Sequence, residues 1–252
     1  VKSPKLILDN DIIQVYQKQL GQWDNLNHLI VCCKTKKACI VDPFDGSFWE
    51  DFCQTNNFQL EQVWLTHSHW DHCKGVEALV KSTVFTPEVR CHQLEQQRGY
   101  NAGYIQWWSH NEFSSQMCVI GGLEFSIHCT PGHTPGHVVI IGNGIIISGD
   151  CLFLGSCGRT DLLGGNRDKQ RESLKYLQTI FSKLSGSNIV VPGHQYELQD
   201  GTIPTVMELS KVITSNEALS AVDDDDKWDS LPFLSFDDDL AAKARRQKAQ
   251  QS

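Results

Sequence analysis

The sequence predicts an α+β protein with two β-sheets face to face and helices covering the outer side of each. This is a four-layered αββα sandwich with a small helical extension toward the C-terminus. Three observations carry the expectation. Strand-like and helix-like segments follow the order β-rich, αβ, β-rich, αβ, which suits two sheets better than one. The strand-like runs are short, rich in Ile, Val and Leu, and several are joined by glycine turns. With 252 residues, 40% of them hydrophobic, the chain is long enough to bury a substantial core.

The elements follow in order. Residues 12–20 and 26–33 are rich in Ile, Val and Leu, and the turn-like Lys34-Thr35-Lys36-Lys37 leads into Ala38–Asp42, giving a β-meander. A helix is expected over 47–57, then a strand over 61–66 that runs into a cluster of histidines, then a helix starting at Gly75–Lys81. Gln116–Ile120, Gly121-Gly122 and Leu123–Cys129 form a hairpin, as do Val138–Ile141, Gly142-Asn143-Gly144 and Ile145–Ser148. Leu174, Leu177, Ile180, Phe181 and Leu184 recur at helical spacing over 167–184. A short buried strand follows at Asn188–Val191. Residues 99–113 are aromatic and irregular, and read as a loop packed on the core. Beyond residue 200, Glu208–Val222 reads as helix, Asp223–Asp226 as an acidic run and Leu240–Gln250 as a basic helical tail.

Charge and cysteine usage narrow the function classes. A formal net charge of −8 does not suggest a nucleic-acid-binding surface. No apolar run approaches the roughly 20 residues of a membrane-spanning helix. The ten cysteines are scattered without a CxxC pair, and several lie in apolar strand-like runs. Free thiols in a reducing, cytoplasmic compartment explain them better than a disulfide framework.

The chemistry concentrates in Thr66-His67-Ser68-His69-Trp70-Asp71-His72. His67 and His69, two apart at the end of a strand, point to one face. Asp71 and His72 follow where the chain turns toward a helix. Three further candidates, His133, Asp150 and His194, each follow a glycine just beyond a strand-like run. Glycine lets the backbone turn sharply there. Ligands gathered from several strand ends make an open, preorganised site of the catalytic kind.

These motifs resemble the metallo-β-lactamase superfamily, whose HxHxDH signature stands here as His67-x-His69-x-Asp71-His72. The resemblance implies that His67, His69 and His133 bind one metal, Asp71, His72 and His194 another, and that Asp150 bridges. Asp42, in Ile40-Val41-Asp42-Pro43, matches an early aspartate that orients the site. Two divalent ions are implied, zinc first, with iron or manganese as alternatives. Asp24-Asn25, Trp70 and the Pro-Gly-His-Thr-Pro-Gly-His string ending at His137 resemble the glyoxalase II branch, the hydroxyacylglutathione hydrolases. His137 is expected to support the site rather than to ligate.

On that resemblance residues 1–198 form the catalytic domain, and 199–252 a helical extension that contributes to substrate binding. Tyr196, in Pro192-Gly193-His194-Gln195-Tyr196, approaches the glutathione moiety, and Arg245 and Lys248 hold its glycine carboxylate. The expected reaction cleaves S-(2-hydroxyacyl)glutathione, such as S-lactoylglutathione. A hydroxide between the metals attacks the thioester carbonyl, and Asp71 orients it. The loop Gly155-Ser156-Cys157-Gly158-Arg159-Thr160-Asp161 departs from the branch and resembles that of persulfide dioxygenases. Arg159 is either an anion contact or a structural arginine paired with Asp161. The competing expectation is therefore an iron-dependent persulfide dioxygenase acting on glutathione persulfide.

Overall fold

The computed structural model describes residues 3–232 and 234. The first sheet has seven strands in sequential order: β1 Lys5–Asp9, β2 Ile13–Leu20, β3 Asn25–Cys32, β4 Lys37–Val41, β5 Gln59–Trp64, β6 Glu88–His92 and β7 Ile105–Trp108. The first four are antiparallel, and β4 to β7 are parallel. Helices α1 Gly46–Thr55, α2 Trp70–Cys73 and α3 Val76–Val80 lie in its crossovers. The second sheet contains β8 Ser115–Ile120, β9 Leu123–Cys129, β10 Val138–Gly142, β11 Ile145–Gly149, β12 Ile189–Pro192 and β13 Met207–Glu208, in the order β13-β12-β11-β10-β9-β8. Helices α4 Arg167–Phe181, α5 Leu209–Ser215, α6 Glu217–Ala221 and α7 Asp225–Ser230 complete the described chain.

Side-chain alternation turns these elements into four layers. In β3, Ile30 faces the second sheet while Leu29 and Val31 face α1 and α3. In β10, Val138 and Ile140 face the first sheet while Val139 and Ile141 face α4 and the later helices. Three apolar clusters result: helices on the first sheet, sheet on sheet, and helices on the second sheet. Central strands β3, β4, β10 and β11 bury both faces, which explains why their runs are near-continuously apolar.

Three expectations need correction. The segment 99–113 is not wholly a loop: Ile105–Trp108 pairs with β6 as the edge of the first sheet, with Ile105 and Trp108 buried. Strands β1 and β6 were not anticipated, because Lys5–Asp9 and Glu88–His92 are short and charged. The helix expected over 208–222 opens with β13 and breaks at Asn216. There the side-chain oxygen accepts from Leu219 N at 2.9 Å, and Nδ2 donates to the carbonyls of Phe153 and Ser156, both at 2.9 Å. An asparagine that satisfies its own backbone in this way ends one helix and caps the next.

Buried polar groups between the layers make stability depend on pH. His28 on β3 is 1% exposed, and Gln17 Nε2 donates to its Nε2 at 3.0 Å. Burial lowers its pKa to about 3. The native ring therefore stays neutral while an unfolded one takes up a proton below about 6.5. The stability this contributes is complete above 6.5 and is lost as pH falls toward 3. Between pH 6.5 and 5 the expected loss is about 2 kcal/mol. Urea titrations of the metal-free protein should show a shallower acid dependence in His28→Leu than in wild type; equal slopes would remove His28 as the cause.

Candidate metal centre

The site forms where strands of both sheets end on the same side. His67 and His69 follow β5, His133 follows β9, Asp150 follows β11 and His194 follows β12. Main-chain bonds hold these ends together: Val138 N donates to Thr66 O at 2.8 Å, and Gly193 N to Gly149 O at 2.9 Å. Two glycines are dictated by crowding. Gly149 has φ +50°, and a Cβ there would stand 2.7 Å from His137 Nε2. A Cβ on Gly193 would stand 2.2 Å from Asp150 Oδ1.

His67, His69 and His133 form one group of converging ligand atoms, and Asp71, His72 and His194 another. His69 Nδ1 and His133 Nε2 are 2.8 Å apart, and His72 Nε2 and His194 Nε2 are 3.1 Å apart. Asp150 lies between the groups, its Oδ2 3.5 Å from His133 Nε2 and 3.3 Å from His194 Nε2. An overlapping trio brings in Asp42. That carboxylate is already engaged: it accepts from Thr66 N at 2.8 Å and Thr66 Oγ1 at 2.6 Å, and faces His72 Nδ1 at 2.9 Å.

The far nitrogen of four rings meets an oxygen. His67 Nδ1 faces Thr66 Oγ1 at 3.0 Å, His72 Nδ1 faces Asp42 Oδ2, His133 Nδ1 faces Arg159 O at 2.7 Å, and His194 Nδ1 faces Trp23 O at 2.8 Å. An oxygen acceptor fixes the proton on Nδ1 and leaves the Nε2 lone pair for the centre, the arrangement around ligating histidines. His137 differs. Its Nε2 accepts from Asp150 N at 3.0 Å and Cys151 N at 3.2 Å, so it supports the Asp150 turn.

The electrostatics suit a bound cation. Burial lowers His69 to about 2 and pushes His67 and His133 below the usual imidazole range. Burial also opposes charge on His72 and His194, yet Asp150 and the neighbouring carboxylates outweigh it. His72 rises to about 10 and His194 well above its ordinary value. Asp71 and Asp150 stay ionised despite burial, because His72 and His194 face them. The carboxylates thus favour positive charge at this point between the two groups. Buried His67 Nε2 and Asp150 Oδ1 have no hydrogen-bond partner. Two neutral imidazole lone pairs facing each other at 2.8 Å repel unless a cation or proton lies between them. The donor set, imidazole with carboxylate, suits zinc, iron or manganese.

The sequence profile of the metallo-β-lactamase superfamily matches residues 24–194, which span both ligand groups and Asp150. The chain belongs to this superfamily. Solved structures similar to it include ETHE1 from Myxococcus xanthus, 22% identical with a TM-score of 0.67 over 86% of this chain and 92% of that one. A metallo-β-lactamase from Staphylococcus aureus subsp. aureus COL is 21% identical with a TM-score of 0.72, covering 88% and 68%. TTHA1623, solved in a di-iron-bound form, is 24% identical with a TM-score of 0.60, covering 79% and 98%. At these identities the likeness concerns the fold, the metallo-β-lactamase αββα sandwich.

The expected substrate contacts fare differently around this superfamily centre. The Arg159 guanidinium pairs with Asp161, Nε to Oδ1 at 2.5 Å and Nη2 to Oδ2 at 2.6 Å. Its carbonyl, not its charge, reaches the centre through His133. Tyr196 is 47% exposed, its ring 6.0 Å from that of His194 and 4.8 Å from that of Phe153. Trp70, 55% exposed between the candidate ligands His69 and Asp71, packs edge-on against Trp23 and Phe44. Arg245 and Lys248 lie outside the described residues.

Two residues at the superfamily centre have roles that the sequence does not announce. Glu95, wholly buried, accepts from Ser68 N at 2.8 Å, from Ser68 Oγ, and from Gly136 N at 2.7 Å. It ties the His67–His69 turn to the His133–His137 turn. Asn25 Nδ2 donates to Asp71 Oδ2 at 2.7 Å. A lone glutamate in a Gln-rich stretch carries no sequence signal, whereas the Asp24-Asn25 pair enters the sequence analysis only through its resemblance to the glyoxalase II branch.

Proposed function

We propose that this chain is a metal-dependent hydrolase that cleaves the thioester of an S-(2-hydroxyacyl)glutathione, such as S-lactoylglutathione, giving a hydroxy acid and glutathione. The observation that carries the reading is Asp150, whose one carboxylate faces both ligand groups. In it His67, His69 and His133 hold one divalent ion, Asp71, His72 and His194 hold the second, and Asp150 is shared. Two such ions, zinc in this proposal, supply a water acidified toward pH 7 and a Lewis acid for the thioester carbonyl.

The chain's own residues do the rest. Asp71, braced by Asn25, accepts a hydrogen bond from the attacking water and keeps it in line. The leaving thiol, with an ordinary pKa of about 8.5, departs as thiolate without a general acid. Tyr196 offers an exposed ring beside His194 to the glutathione portion, and Arg245 and Lys248 take its glycine carboxylate. Arg159 is committed to Asp161, so the anion contact assigned to it requires that pair to open. The ten free cysteines support a reducing, cytoplasmic setting. No helix among the described residues is long and apolar enough to cross a membrane.

The persulfide dioxygenase alternative is decided by the same measurement. The purified chain should contain about two metal ions and release thiol from S-lactoylglutathione. One iron per chain, with oxygen uptake on glutathione persulfide, would replace the hydrolase by the oxygenase. His69→Ala should abolish either activity, and retained turnover would remove the proposed centre altogether.

A further inference from the structure

One half of the centre is braced by a residue that supplies no ligand. Asn25 opens β3 and is 2% exposed. Its Nδ2 donates to Asp71 Oδ2 at 2.7 Å, and that oxygen lies 3.5 Å from His72 Nε2 and 3.3 Å from His194 Nε2. Its backbone forms an antiparallel bridge with His194, and the next residue donates, Leu26 N to Gly193 O, at 2.8 Å. A single position therefore fixes the side chain of Asp71 and the main chain of His194. The other group takes its braces elsewhere, from Thr66, the Arg159 carbonyl and Glu95.

The chemistry of the amide suits this task. A free aspartate samples several rotamers, and only some aim its oxygen at the two imidazoles. The neutral N–H donor selects one orientation without cancelling the negative charge that a cation needs. The opposite amide orientation would set Asn25 Oδ1 against the Asp71 carboxylate, oxygen on oxygen. Gly21 leaves the room this orientation needs, since a Cβ there would stand 2.7 Å from Asn25 Oδ1.

We infer that Asn25 is a positioning residue for the Asp71–His72–His194 half, and that it sets whether this chain binds two cations or one. The inference rests on the dinuclear reading above. The test uses the full chain stripped of metal and titrated with Zn²⁺ against a chromophoric chelator. Wild type should show two binding events, assigned to their halves by the variants His69→Ala and Asp71→Ala. A single event in wild type would overturn the dinuclear reading itself, and the inference with it.

With two events present, Asn25→Leu keeps the size of the side chain and removes the donor. The Asp71-side affinity should fall about 10–100-fold, the usual effect of losing a residue that orients a ligand. The His67-side affinity should stay within about threefold. In an Asp71→Ala background the same substitution should add nothing, because the pair acts as a unit. Equal weakening of both halves, no weakening, or a full additional loss beside Asp71→Ala would each overturn the role. If the leucine variant melts early without metal, Asn25→Ala enters the same cycle.

Discussion

Replacing Asp150 with asparagine is expected to lower kcat/KM on the thioester by at least about a thousandfold, roughly 4 kcal/mol of transition-state stabilisation. Asparagine keeps the shape of the side chain, so the Gly149 turn and the packing against Gly193 survive. It removes the negative charge that faces both ligand groups, with His133 and His194 nitrogens at 3.5 and 3.3 Å. Each proposed cation would lose an anionic oxygen at once, so metal content should fall below one per chain. The metal-free chain should lose stability as well, because Asp150 faces buried His72 and His194 and removing one partner of such a set leaves the others' charge uncompensated. The decisive pattern is lost Zn²⁺ stabilisation in thermal melts of a chain that still unfolds cooperatively without metal. Two tightly held metals with near-normal turnover would end the assignment of Asp150 as shared ligand.

Much of this centre was legible because its chemistry is local in sequence. The HxHxDH run concentrates four ligand-type side chains at one strand end, and His133, Asp150 and His194 each stand just past a glycine that the structure requires to be small. The layering was legible for a similar reason. Continuous runs such as Val138–Ile141 and Ile145–Ile147 need partners on both faces, which two sheets between helices provide. The illegible parts depend on distant contacts. Edge strand β7 is decided by pairing with β6, with Ile105 entering the core under the first sheet's helices and Trp108 the inter-sheet core, not by its own short pattern. The break at Asn216 depends on the carbonyls of Phe153 and Ser156, some sixty positions earlier. Arg159 shows the limit of motif reading: its loop attracted attention for the charge, while its carbonyl is the group that meets His133.

Glu95→Ala is expected to cost about 3–5 kcal/mol of stability and to weaken metal binding on the His67 side. The cost follows from what the carboxylate satisfies. Ser68 N, Ser68 Oγ and Gly136 N all donate to it in a buried setting. An unsatisfied buried donor costs about 1–3 kcal/mol, partly relieved where water enters. Arg98, whose Nε lies 3.7 Å from Glu95 Oε2, would lose its carboxylate partner as well. Glu95→Gln should recover only part of the loss: one oxygen remains an acceptor, but the new NH₂ turns a donor toward Ser68 or Gly136. The effect on metal follows from position. Ser68 lies between His67 and His69, and Gly136 belongs to the turn that carries His133 and His137. Freeing the two turns from each other should weaken the His67–His69–His133 group about 10–100-fold, with the Asp71 side less affected. Asn25→Leu should give the opposite pattern, so the two variants together separate the halves. Urea unfolding of the metal-free chain reads the first effect, and Zn²⁺ competition titration reads the second. A stability loss with unchanged affinity would confine Glu95 to the scaffold; unchanged stability would mean that water replaces the carboxylate at no cost.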